Sequence, residues 1–169
     1  MTDPPNLNHL KPGGEARMVD VGAKPTARRR AVAEAWVDVG REIEELIRQR
    51  GGAAKGNVLE TARIAGIMAA KQAAALIPMC HPISLDAIDV ETKMEGGRVH
   101  IVARVATEAR TGVEMEAMTA AAASALTVYD MVKSVGRGVT IGPVRLLEKE
   151  GGKSGHWVRP AKEAGHGAG

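Results

Sequence analysis

Hydrophobic and polar residues alternate over two adjoining stretches, Leu85 to Glu95 and Arg98 to Val105. Ile88 and Val90 are apolar in the first, and Val99, Ile101 and Ala103 in the second, with Gly96-Gly97 between the two runs. A period of two buries one face of a strand, and a pair of glycines accepts the positive φ of a tight turn, so the stretches predict a β-hairpin. The run from Arg29, Arg-Arg-Ala-Val-Ala-Glu-Ala-Trp-Val-Asp-Val, has alanines that suit a helix and an alternation that suits a strand; strand is expected. Glu15 to Val21 and Val139 to Leu147 read as two further strands.

Helical spacing marks three other segments. Ile43, Leu46 and Ile47 place a helix over Arg41 to Arg50, and Gly51-Gly52 stops it. Asn57 followed by Glu60 has the form of a capping box and starts a helix from Val58 to about Leu76, with Ile64, Ile67, Met68, Lys71 and Ala75 near one face. Thr111 followed by Glu114 is a second capping box, for a helix from about Val113 to Val135. Between Ala117 and Val128 its only polar side chains are Thr119, Ser124 and Thr127, so it is expected to be buried, centrally or at a subunit contact. The element order β-β-α-α-β-β-α-β mixes a hairpin with helices and predicts an α+β fold with an antiparallel sheet. No internal repeat is evident. Residues 1–14 and 156–169 carry no periodicity and read as mobile tails on a single domain, 15–155.

Composition narrows the function classes. Aromatic residues make up 2% of the chain and there is no Phe, so small and aliphatic side chains fill the core and part of the stability is expected from subunit contacts. The net charge of +3 is mildly basic. Single-strand binders stack bases on aromatics, of which this chain has two Trp and one Tyr, so an anionic small molecule accounts for the basic excess better than nucleic acid. The single cysteine allows no internal disulfide, no apolar run approaches the ~20 residues of a membrane span, and no secretory signal pattern is present; a cytoplasmic protein is expected.

Candidate chemistry gathers at Ile77-Pro78-Met79-Cys80-His81-Pro82, which holds the only cysteine. Two prolines restrict the backbone, and a stiff extended junction is expected there. Taken alone, Cys80 reads as a small buried hydrophobe and His81 as a turn residue. Adjacent residues of an extended segment point to opposite sides, which suits neither a Cys–His nucleophile pair nor, without Cys-x-x-Cys or His-x-x-x-His spacing, a structural metal site. Lys55 precedes a helix N-terminus, where an anion is favoured; an ordinary surface lysine reads the same way. Asp130 and Lys133 share a face at the end of the apolar helix, as a perturbed acid beside a lysine or as a plain helix-end salt bridge. Gly151-Gly152-Lys153-Ser154 lacks the upstream glycine of a phosphate-binding P-loop, position 147 being Leu. Glu148 to Gly155 is expected as a mobile glycine loop carrying Lys149 and Lys153. These lysines and the acids Glu114, Glu116 and Asp130 suit acid–base chemistry on a phosphate-bearing molecule.

In order along the chain stand Met18-Val19-Asp20-Val21, Lys55-Gly56-Asn57-Val58, Thr61-Ala62-Arg63-Ile64-Ala65-Gly66-Ile67 and the Cys-His hexapeptide. Thr111-Gly112-Val113-Glu114-Met115-Glu116-Ala117, Tyr129-Asp130-Met131, Ile141-Gly142-Pro143-Val144-Arg145-Leu146-Leu147 and Gly151-Gly152-Lys153-Ser154-Gly155 follow. This series closely resembles the cyclic pyranopterin monophosphate synthases of molybdenum cofactor biosynthesis, over about residues 15–155. The resemblance implies a ferredoxin-like antiparallel sheet packed against helices, and a homohexamer built as a trimer of dimers with active sites at the dimer interface. It implies a cyclised dihydroguanosine triphosphate as the small-molecule substrate and diphosphate release; no cofactor and no metal-ligating residues are expected, with assistance by a divalent metal left open. By the same resemblance Asp130 and Lys133 are a catalytic acid–base pair and Lys55 a further catalytic or phosphate-contacting lysine. Met79, Cys80, His81, Met115 and Glu116 bind substrate, Glu114 shares their pocket, and Lys149 lies on the flexible loop. Asn57, Met79 and Gly22 stand where the family often has Asp, Leu and Ser; Asn caps a helix as well as Asp, and Met for Leu keeps the volume. A non-catalytic nucleotide- or pterin-phosphate binder would use the same lysines, and a subunit-packing scaffold would leave them unexplained.

Overall fold

The run of alternating alanines sets the architecture. Strand β1 (Ala27–Asp38) directs Ala31, Ala33, Ala35 and Val37 to one face, all fully buried, and Glu34 and Trp36 to the other. Small inward side chains let a helix lie close on the sheet. Helix α4 (Glu114–Val132) takes that place with its own small face, Ala117, Ala120, Ala121 and Ala125, each fully buried. The computed structural model describes residues 9–11, 13–50, 57–153 and 155–161.

The remaining elements are α1 (Gly40–Arg50), α2 (Val58–Ala70), α3 (Ala73–Leu76), the hairpin strands β2 (Ala87–Glu95) and β3 (Arg98–Ala109), and then β4 (Thr140–Glu150) and β5 (Trp157–Val158). The sheet order is β2-β3-β1-β4-β5, antiparallel at every neighbour. Helices α2 and α4 pack on one face, as an α+β fold requires. The succession β1, helix, β2, β3, α4, β4 has the split β-α-β plan of ferredoxin-like folds, with β5 added at one edge. Gly96 and Gly97, at φ 60° and 83°, close the hairpin in the geometry expected of them.

Several expectations are corrected. Residues 15–21 form no strand; a lone bridge joins Leu10 to Ala16 and the chain then runs on irregularly to β1. The helix expected over 58–76 turns at Lys71-Gln72 into α2 and α3. Its buried face is Val58, Ala62, Gly66 and Ala70, whereas Ile64 and Met68 point outward, because α4 approaches along the small residues. Ser124 Oγ donates to the Ala62 carbonyl at 2.8 Å across this contact. Asn57 does cap α2, accepting from the Glu60 amide at 3.1 Å. Thr111 caps nothing: Val113 is the N-cap of α4 and no side chain bonds to it. Strand β4 extends three residues beyond Leu147, so Lys149 lies on a strand and not on a loop. The C-terminal stretch expected as a tail opens with β5, paired to Glu148 and Lys149.

Candidate active site

Pro78 and Met79 form a turn, closed by the Cys80 amide donating to the Ile77 carbonyl at 3.0 Å, where an extended junction was expected. Proline at the second turn position fixes the φ this needs. The turn presents Cys80 and His81 to different partners. Cys80 Sγ donates to Glu116 Oε1 at 3.4 Å, and His81 Nε2 donates to the Val19 carbonyl at 2.8 Å. Burial and the neighbouring Glu116 push the Cys80 thiol up to about 11, so at neutral pH it is a donor rather than a thiolate. Glu116 is itself buried near the start of α4, its carboxyl is raised above the ordinary range by that burial, and among the described residues its Oε2 has no hydrogen-bond partner.

These groups line a cleft of about 240 Å³ with Met79, Met115 and the N-terminal segment at Val19 and Val21. Across Thr111, Gly112 and Glu114 the cleft adjoins a groove of about 910 Å³, lined by five cations: Lys24, Arg29, Arg110, Lys149 and Lys153. Lys149 pairs with Glu114 at 3.2 Å. Arg29 donates to the carbonyls of Ala109 and Arg110 at 3.3 and 3.4 Å, which aims its guanidinium along the groove wall. Gly152, at φ 72°, lets the chain pass directly over that guanidinium; a Cβ there would collide with it. A concave surface with one apolar, acid-backed end and one cationic end fits a ligand that is a ring system at one end and a polyphosphate at the other.

The structure therefore brings Met79, Cys80, His81, Glu114, Met115, Glu116 and Lys149 to one surface. It does not bring Asp130 and Lys133 there. They form their ion pair at 2.6 Å, half-exposed, at the C-terminal end of α4. Asp130 lies sixteen residues beyond Glu114, about 24 Å along the helix at 1.5 Å per residue. Asp130 holds the Lys133 ammonium above its ordinary pKa. Lys55 lies outside the described residues. Among the described residues no group of three or more His, Cys, Asp or Glu is placed to hold a metal.

Sequence reasoning missed Lys24, Arg29 and Arg110. A signal existed for Arg29: it sits two residues before Ala31, on the face that the alanines bury, so a charge there breaks the alternation. Lys149 breaks it in the same way, being the register partner of Ala31. Both cations lie where the sheet outruns the end of α4 and an inward position faces a groove.

The sequence has close relatives. The family model described as the MoaC family matches residues 18–152. A protein of Thermomicrobium roseum named cyclic pyranopterin monophosphate synthase is 54% identical over 162 residues, covering 95% of this chain and 97% of its own. A Mycobacterium tuberculosis protein (strain H37Rv) named cyclic pyranopterin monophosphate synthase 3 is 53% identical, covering 90% and 86%. One from Pelotomaculum thermopropionicum, named cyclic pyranopterin monophosphate synthase, is 52% identical with 94% of each chain covered. A family match over most of the chain and these identities over nearly its whole length agree with the fold, and the chain belongs to the MoaC family.

Proposed function

We propose that this protein is a cyclic pyranopterin monophosphate synthase that converts (8S)-3',8-cyclo-7,8-dihydroguanosine 5'-triphosphate to cyclic pyranopterin monophosphate and diphosphate. It is read as a phosphorus–oxygen lyase of the cytoplasm, acting in molybdenum cofactor biosynthesis. The observation that carries the reading is the cationic groove continuous with the pocket of Met79, Cys80, His81 and Glu116. The groove suits the triphosphate, and the pocket, with its thiol and buried carboxyl, suits the ring system.

Forming a cyclic monophosphate from a triphosphate requires a substrate hydroxyl to close on the α-phosphorus while the bond to the diphosphate breaks. The hydroxyl proton needs a base and the leaving diphosphate needs positive charge or a proton. Asp130 and Lys133 supply an acceptor and a donor 2.6 Å apart, with Asp130 stabilising the Lys133 ammonium. Lys149 and Arg29 hold phosphate oxygens, and the family resemblance adds Lys55 to them. Met115 and Glu114 complete the wall where the two cavities meet. Residues 15–155 act as one catalytic domain in this reading.

The distance along α4 makes a second copy part of the proposal. One chain supplies the pocket and groove, and a neighbour supplies Asp130 and Lys133, in a homohexamer arranged as a trimer of dimers. The outward Ile64, Met68 and Leu126, 47–62% exposed on α2 and α4, support packing between copies. The test is incubation of the purified protein with the cyclised triphosphate, with and without chelator. Stoichiometric and then catalytic diphosphate release is expected; tight binding with no release would make the chain a binder instead.

A further inference from the structure

Residues 9–11 and 13–21 have no regular secondary structure, yet His9, Val19 and Val21 form one wall of the cleft that carries Cys80 and Glu116. The segment holds itself together locally. Leu10 bridges Ala16, the Arg17 amide donates to the His9 carbonyl at 2.8 Å, and Lys11 pairs with Glu15 at 3.0 Å. It is otherwise open to solvent, with Leu10 and Met18 more than 40% exposed. Among the described residues, beyond its own root, a single hydrogen bond ties it to the rest of the molecule, from His81 Nε2 to the Val19 carbonyl at 2.8 Å. Its root is the turn before β1, where the Gly22 amide donates to Asp20 Oδ1 at 2.7 Å and the Lys24 amide to the Val21 carbonyl at 3.0 Å. Lys24 stands at this root and faces both cavities.

We propose that residues 13–21 are a strap that opens and closes over the pocket, and that His81 is its latch. Besides lining the pocket, His81 is then a positioning residue for Val19 and Val21, which it holds against the pocket. A segment with little buried apolar surface and one outside bond belongs to the least stable part of a fold and opens without global unfolding. Opening clears a path to Cys80 and Glu116, and closing excludes water from the ring-binding end. A carbonyl acceptor also fixes the histidine. Nε2 must carry hydrogen, so in the neutral ring Nδ1 keeps the lone pair. The inference rests on the synthase reading for what the strap encloses, but the latch itself is measurable with no substrate present.

Hydrogen exchange followed by mass spectrometry on the free protein tests it, with His81→Ala and His81→Gln compared to wild type. In His81→Ala the hydrogen-bonded amides of the strap and its root, Arg17, Gly22 and Lys24, are expected to exchange about tenfold faster, the loss of one ordinary hydrogen bond, with β1 and α4 unchanged. Cys80, the only cysteine, reports the same event, its alkylation by iodoacetamide speeding up with strap exchange. The Gln side chain keeps an N–H donor and is expected to restore most of the protection. In turnover the Ala variant should raise KM more than it lowers kcat. Unchanged strap exchange in His81→Ala, or acceleration spread equally over β1 and α4, overturns the proposal. Should the Ala variant fail to fold, loss of strap protection in a folded His81→Gln overturns it too. Failure of diphosphate release with a normal strap response would instead count against the synthase reading alone.

Discussion

The two ends of α4 are built by different rules. At the N-terminal end Glu116 is 3% exposed, backed by a thiol, and left with an unpartnered oxygen, while Glu114 pairs with Lys149 of the sheet. At the C-terminal end Asp130 and Lys133 stand half in solvent and pair with each other on one helix face. The first end is organised by tertiary contacts within the chain, at the cost of a desolvated carboxyl. The second is a surface ion pair, screened by solvent and of little weight in folding. Stability does not explain its presence. In the synthase reading the exposed pair serves the pocket of another copy, and the buried end receives the substrate.

The strongest way to break this comparison is to remove a member of the exposed pair. Lys133→Ala is expected to leave the melting temperature nearly unchanged and to cut kcat by about 10²- to 10⁴-fold, the usual range for a positioned acid or base. Wild-type turnover in that variant would reduce the pair to a salt bridge. A sharper version asks which chain uses it. Lys133→Ala and Glu116→Ala, each inactive alone, are denatured together in equal amounts and reassembled. If a site takes its two halves from two chains, half of random dimers are mixed and half of their sites are intact, so about a quarter of wild-type activity returns. If both halves come from one chain, none returns.

How much of this was legible in the sequence follows the range of the interactions. The hairpin was readable because its cause is local: two alternating runs and Gly96-Gly97. Strand β1 was readable through its alternation in spite of its alanines. Met18, Val19 and Val21 looked like a strand, but a strand needs a neighbour to pair with, and among the described residues none pairs with them. The turn at Lys71-Gln72 has no Gly or Pro to announce it. The buried face of α2 is its small-residue face, Val58, Ala62, Gly66 and Ala70, chosen by how closely α4 approaches rather than by the large apolar Ile64 and Met68. In the site, the motifs of the family resemblance pointed to Met79-Cys80-His81 and to Glu116. Their contact spans 36 positions and is a product of the fold. Arg29 was visible as a charge on an alanine face and was overlooked; Arg110 and Lys24 carry no pattern of their own.

The middle of α4 keeps its ends apart, and it can be disturbed without touching either. At Gly66 of α2 an added Cβ would land on Ser124 Oγ and lie 3.0 Å from the Ala120 carbonyl oxygen. Gly66→Ala gains about 1 kcal/mol of helix propensity. It must displace the Ser124 hydroxyl from the Ala62 carbonyl, leaving buried polar groups unpaired, and push against helix backbone that does not yield. A net loss of about 1–3 kcal/mol in chemical denaturation is expected. No loss would mean that α2 shifts freely on α4 and that the two ends are less rigidly spaced than their packing implies.

The smallest effect concerns the cost of the buried end itself. Burial raises the carboxyl of Glu116 above its unfolded value, with the charge of Glu114 adding to it and the Cys80 thiol opposing it. A carboxyl so raised holds its proton in the native state at pH values where the unfolded chain has released it. Between the two pKa values the native state therefore binds more protons, and stability falls as pH rises through that window. Glu116→Gln keeps an oxygen to accept from Cys80 and has no proton to lose. The variant should melt above wild type at pH 7, and the gap should close as pH falls through the ordinary carboxylate range toward 4. A Glu116→Gln advantage that persists undiminished at pH 4 would mean that the penalty is steric rather than electrostatic, and the contrast between the two ends of α4 would lose its physical basis.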